Sequence, residues 1–133
     1  MSDNKLLEII NLKKVQIEIL KKKISTEELN KKISKFDNYL NFKEKIKMNI
    51  KNDKLSLIAE IKRASPSAGI IIEDYRPKKI AKIYNDNNVS CLSVLTEENF
   101  FLGKLSDISE IKQEVNLPIL CKDFFIDPFQ VKL

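Results

Sequence analysis

The sequence predicts an α/β fold in which a parallel sheet follows a helical N-terminal third. Three observations predict it. Across residues 53–133, three strand-length apolar runs alternate with stretches of helical pattern. Those runs are near-continuous, as expected for parallel strands covered on both faces. The segments joining them are short, so right-handed βαβ crossovers follow. At 133 residues and 43% apolar content, the chain is about one globular domain in length. By pattern it divides into a helical extension over 1–52 and a β/α part over 53–133.

Over 3–24, Leu6, Ile10, Ile17, Leu20 and Ile24 fall near one face, with Lys and Glu on the other, which predicts an amphipathic helix. "STEEL" opens a second helix, because Ser25 and Glu28 have capping-box spacing. "NFKEKIKMNI" predicts a third, ending near Asn52. "LSLIAEIKR" reads as the first strand. "RPKKIAKIYNDN" reads as a helix with Pro77 near its first turn. "VSCLSVLT" is the second strand, and "LSDISEIKQEV" a helix with Ser106 as N-cap. "LPILCKDF" is the third strand. "DPFQVKL" begins another helix, with Asp127 as cap and Pro128 at the first position.

A β-α-β-α-β-α order fits a doubly wound sheet or a (β/α)8 barrel. The former, where it binds dinucleotides, carries Gly-x-Gly-x-x-Gly after its first strand. The chain has two glycines, Gly69 and Gly103, so neither that motif nor a P-loop can exist in it. The balance moves toward the barrel.

Composition excludes several kinds of chemistry. Histidine is absent, which removes a His triad, a His general base or a His-ligated metal from this chain. Cys91 and Cys121 lie in strand-like runs and read as reduced core thiols. No apolar run is long enough to span a bilayer and the N-terminus has no signal-like apolar stretch, so a cytoplasmic protein without a membrane partner is expected. The net charge of +5 is uneven: residues 1–51 hold 13 Lys against 7 acids, residues 52–133 hold 11 Lys and Arg against 12 acids. The N-terminal lysines are interleaved with Ile and Leu at helical spacing, and their plainer reading is a solvated face. No nucleic-acid partner is expected.

In either architecture active sites form at the C-terminal ends of the strands. The first strand ends "EIKRASPS". Alternation puts Glu60 and Lys62 on one face. A buried ion pair is costly and often no better than apolar packing, so two charges at the mouth of such a strand favour function over structure. The third strand ends "LCKDF", where Lys122 by itself is equally well a surface lysine. Together the three would form a cationic pocket with one carboxylate, suited to an anionic substrate and Lys/Glu acid–base chemistry. The hydroxyls and N–H groups of "ASPSAG" suit an anion, although a plain turn is the simpler reading. Pattern alone leaves Phe101 and Phe124 between core and substrate contact.

These residues, in this order, resemble indole-3-glycerol phosphate synthase, a (β/α)8 TIM-barrel enzyme of tryptophan biosynthesis. "LIAEIKRASPSAG" is similar to that family's first barrel strand and loop. "SVLTEENFFLGKLSDI" is similar to its second strand, loop and helix start, and "PILCKDFFIDPFQV" to its third strand and next helix. "LLEIINLKKVQIEIL" resembles the helical extension before the barrel. The resemblance implies a carboxy-lyase that closes the ring of 1-(2-carboxyphenylamino)-1-deoxyribulose 5-phosphate, with loss of CO2 and water. It implies no cofactor and no metal. It implies Lys122 as general acid on the substrate carbonyl oxygen, and Lys62 as anion binder and second acid. Glu60 would hold and tune both lysines, Ser65 would lie in the substrate-binding loop, and Phe101 and Phe124 would line the pocket against the anthranilate ring.

A (β/α)8 barrel takes about 250 residues and eight strands. Three βα units, after the extension, are legible here. A later catalytic carboxylate and the main phosphate-binding groups of the family lie downstream of the matching motifs. The chain is therefore expected to be a piece of a longer reading frame, inactive and marginally stable alone, with exposed sheet edges. Two rivals predict otherwise. Another phosphate-binding barrel enzyme would turn over a different substrate. A non-catalytic interaction module with a basic helical arm would be a stable, partner-binding unit.

Overall fold

The computed structural model describes residues 3–35, 37 and 39–133. They form two compact units, one drawn from Met1–Tyr39 with Phe124–Leu133 and the other from Leu40–Asp123.

In the first unit, α1 (Asp3–Lys23) and α2 (Thr26–Ile33) are followed much later by a 3-10 turn, Pro128–Lys132. The capping box read from "STEEL" is present. Ser25 Oγ accepts the Glu28 amide at 3.2 Å, and the Ser25 amide donates to Glu28 Oε2 at 3.0 Å. Ile17, Leu29 and Phe129 form the buried core, with Leu20 and Ile24 packed on it. Asp127 caps the turn as expected, accepting the Phe129 amide at 2.8 Å. It also pairs with Lys21 at 2.7 Å. The turn is 3-10 where a helix was expected to begin.

The second unit contains α3 (Phe42–Lys51), which the sequence pattern groups with the extension, then β1 (Ile58–Ile61), β2 (Ala64–Ser65), β3 (Gly69–Ile70), α4 (Pro77–Asp86), β4 (Cys91–Leu95), α5 (Leu105–Glu114) and β5 (Ile119–Lys122). β1, β4 and β5 form a parallel sheet in that order; β2 and β3 are a small antiparallel hairpin after β1. Pro77 stands at the first turn of α4. Ser106, expected to cap α5, is instead its second helical residue. The polar group at that end is Asp107, whose carboxylate accepts the Lys104 amide at 3.1 Å.

Sequential strand order puts each helix between neighbouring strands, and α4 and α5 pack together on one face of the sheet. Ala59, Ile61, Leu92 and Val94 point into that layer and meet Ala81 and Ile111. By register, the opposite face carries Ile58 and Glu60, Cys91, Ser93 and Leu95, and Leu120 and Lys122. A doubly wound sheet would have helices over both faces. Here Leu120 is half exposed on the face away from α4 and α5, the face that a closed barrel turns inward. At the N-terminal end of the sheet, Asn49 of α3 donates to Ser90 Oγ at 2.9 Å and Ser56 Oγ at 3.1 Å. Among the described residues no helix is long and apolar enough to cross a membrane.

Candidate functional site

The C-terminal ends of β1 and β5 bring three charges together. Glu60 and Lys122 share one face, on strands separated by β4. Glu60 Oε2 accepts from Lys122 Nζ at 2.6 Å, and Glu60 Oε1 meets Lys62 Nζ at 2.7 Å. One carboxylate thus bridges two ammonium groups. β1 ends at Ile61, one residue before Lys62, and the two side chains expected on one face meet as an ion pair.

All three side chains keep substantial contact with solvent: 31% for Glu60, 32% for Lys62 and 52% for Lys122. Ion pairs this exposed contribute little to stability, typically about 0–1 kcal/mol. Stability alone is therefore a weak reason for the cluster, and its geometry suits binding an anion. Each ammonium has three N–H donors, of which Glu60 takes one. The cluster as a whole is cationic.

Burial raises the pKa of the Glu60 carboxyl, but the hydrogen bonds and charges of Lys122 and Lys62 outweigh it, so the group is held below the ordinary value of 4.5. Proton binding links this shift to stability. A depressed carboxyl contributes stability that is fully present above about pH 4.5 and is lost as pH falls through the lower folded value. The stability gap between wild type and Glu60→Gln should accordingly narrow between pH 6 and pH 3 in denaturant titrations. A gap that stays constant over that range would contradict the pairing.

Ser65 is half-buried in β2. Its Oγ accepts the Ala68 amide at 3.1 Å and lies 3.4 Å from Ser67 Oγ. The hydroxyl thus closes the turn leading to Gly69, whose φ of 65° is in the left-handed region. The simpler reading of "ASPSAG" describes this local geometry. Phe101 is half-buried in the β4–α5 loop, and its carbonyl accepts the Ala64 amide at 3.2 Å. Phe124 is half-buried in the other unit, where its carbonyl accepts from Gln130 Nε2 at 3.0 Å.

Sequence reasoning missed the groups that hold these loops. Thr96, 3% exposed, donates its hydroxyl to Asp123 Oδ2 at 3.0 Å and its amide to the Lys122 carbonyl at 3.0 Å. Both bonds fasten the exit of β5 to the end of β4, beside Lys122. Glu97 is buried and accepts hydrogen bonds from the loop that follows it. Asp107 is buried under the same loop and accepts from Tyr75 Oη at 3.4 Å. Burial pushes the Asp107 carboxyl up, and burial with the Asp107 charge pushes the Tyr75 hydroxyl well up. Position was the available signal: Thr96 ends the predicted second strand and Glu97 comes directly after it. No periodicity marks residues that act within loops.

A separate cavity is lined by Arg63, Glu98, Leu102, Gly103 and Lys104. The described residues contain no cluster of three or more metal-ligating side chains.

The family model described as indole-3-glycerol phosphate synthase matches residues 6–133. A protein of that name from Trichodesmium erythraeum is 41% identical over 128 residues, covering 96% of this chain and 42% of the relative. One from Prochlorococcus marinus subsp. pastoris is 42% identical over 128 residues, covering 96% and 43%. One from Rhodopirellula baltica is 54% identical over 79 residues, covering 59% and 30%. The chain spans less than half the length of each of these relatives.

Proposed function

This chain belongs to the indole-3-glycerol phosphate synthase family, and on that premise we propose that it carries the first wall of a synthase active site, with Lys122, Lys62 and Glu60 as its working groups. The observation that supports this reading is the single Glu60 carboxylate bridging lysines at the ends of two strands. The proposed substrate is 1-(2-carboxyphenylamino)-1-deoxyribulose 5-phosphate. Its carboxylate and phosphate match a cluster of net positive charge.

Lys122 donates a proton to the substrate's carbonyl oxygen. The carbon of that carbonyl becomes more electrophilic, and the ring carbon bearing the carboxylate attacks it. The new C–C bond forms, and departing CO2 returns its electron pair to the ring. The hydroxyl left by the first proton transfer then departs as water, with Lys62 as second acid, while the adjacent methylene carbon gives up a proton to the Lys122 amine left neutral by the first step, and the C–H electron pair becomes the C=C bond of the indole. The product is indole-3-glycerol phosphate.

Glu60 takes no proton in this scheme. Its charge holds both ammonium groups in place, and its depressed pKa keeps it ionised at neutral pH. Ser65 shapes the loop over the substrate, and Phe101 supplies apolar surface for the anthranilate ring. The setting proposed is cytoplasmic, with the helices before β1 acting as an extension to the barrel.

The test uses the chain alone and a chimera in which residues 6–133 replace the matching segment of the Trichodesmium erythraeum relative. The chimera should convert the substrate, and the chain alone should not. Three parallel strands leave a (β/α)8 site without its remaining walls. A folded chimera that forms no product would overturn the reading, and robust turnover by the chain alone would overturn its second half.

A further inference from the structure

Glu97 is the most deeply buried carboxylate among the described residues, at 1% exposure. Burying a charge is costly unless its lone pairs are satisfied. No cation pairs with Glu97 among the described residues. The compensation comes from N–H groups of the β4–α5 loop. Oε1 accepts the Asn99 amide at 3.0 Å and Asn99 Nδ2 at 3.4 Å. Oε2 accepts the amides of Phe100 at 2.7 Å and Phe101 at 3.0 Å. The Glu97 carbonyl accepts the Gly103 amide at 2.9 Å, closing the loop at its far end. The side chain thus organises the loop from within, and the chain is held tightly enough that Leu102 adopts φ 54°.

The loop held in this way is tied to a second one. The Phe101 carbonyl accepts the Ala64 amide at 3.2 Å, one residue before Ser65. A path therefore runs from the Glu97 carboxylate, through the Phe101 peptide units, to the loop after β1. We propose that Glu97 is a positioning residue that sets the Phe101 side of the substrate pocket and couples it to the Ser65 loop. It acts on binding of the anthranilate ring and leaves proton transfer to the lysines. The part concerning the ring rests on the function proposed above; the coupling of the two loops does not.

The experiment compares Glu97→Gln and Glu97→Asp with Glu98→Gln, a change at the exposed neighbour. Glutamine keeps the shape but loses the charge and turns an NH2 group toward N–H donors. Amide hydrogen exchange in the full chain should rise at least about tenfold at Phe100, Phe101 and Ala64 in Glu97→Gln, while Leu92 and Val94 in β4 stay unchanged. Glu98→Gln should alter none of these. In the chimera, Glu97→Gln should raise KM about tenfold and leave kcat within about twofold.

Unchanged exchange at Ala64 would overturn the coupling. A fall in kcat at constant KM would overturn the assignment to ring binding. Should Glu97→Gln lose protection throughout, Glu97→Asp decides: a local rise confined to the two loops supports the proposal, and a second uniform loss overturns it. An unsubstituted chimera without turnover would defeat the functional reading, while the exchange pattern would still decide the coupling.

Discussion

Replacing Gly103 with alanine should destabilise the 40–123 unit by about 3 kcal/mol, near the upper end of the usual cost of overpacking. A Cβ built at Gly103 would collide with the Leu95 carbonyl oxygen. It would also lie 2.8 Å from the Leu95 carbonyl carbon and 3.2 Å from Thr96 Cα. All three are backbone atoms at the end of the central strand, so no side-chain rotation relieves the clash. Either the loop lifts or β4 shifts. Lifting the loop breaks the bond from the Gly103 amide to the Glu97 carbonyl and loosens the hold of Glu97 on Phe100 and Phe101. Shifting β4 disturbs the two bonds by which Thr96 fastens Lys122 and Asp123. Gly69 is the control: its Cβ would meet nothing within 4 Å, and its cost is confined to the left-handed φ. Unfolding midpoints in denaturant for the two alanine variants check this. A Gly103→Ala variant within about 0.5 kcal/mol of wild type would show that the close approach is not made in solution.

Much of the fold was legible because it depends on patterns with a period. The β1, β4 and β5 runs stood out as near-continuous apolar stretches between segments of helical period. Glu60 and Lys62 stood out for the same reason, since charges at the end of an apolar run break its pattern. The ends of elements were less legible. The strand expected to run through Arg63 stops at Ile61, because the chain turns into the β2–β3 hairpin, where the Arg63 carbonyl accepts the Ile71 and Ile72 amides. Ser106 lost the cap position to the arrangement around Asp107, a contest between two nearby polar side chains that spacing alone does not decide. The last segment had a correct cap in Asp127 but closed as a 3-10 turn around Gln130, whose Oε1 accepts the Ile126 and Asp127 amides.

The site divides along the same line. The charges were visible as residue types in place, and the motif strings carried the family. Glu97 and Thr96 work through hydrogen bonds to residues in loops or on another strand, and such partners have no sequence period. Glu97 reads as one more surface acid in "TEEN" until its four N–H donors are seen around it.

The largest effect on activity is expected at Lys122. Methionine retains most of the length and apolar stem of lysine, but has no proton to give and no charge to set against Glu60. In Lys122→Met, Glu60 keeps its 2.7 Å pairing with Lys62 and remains ionised, so the pocket stays occupied and folded. Substrate binding should weaken only a few-fold, because Lys62 still faces the anion. On the proposed mechanism the chemical step loses its acid, and general-acid contributions of this kind are worth roughly 10²–10⁴-fold. The most direct measurement is single-turnover product formation by the Lys122→Met chimera, with substrate affinity measured separately. The rate should fall at least about 10²-fold below that of the unsubstituted chimera at nearly unchanged affinity. A rate within a few-fold of the unsubstituted chimera would contradict the role of Lys122 as the acid.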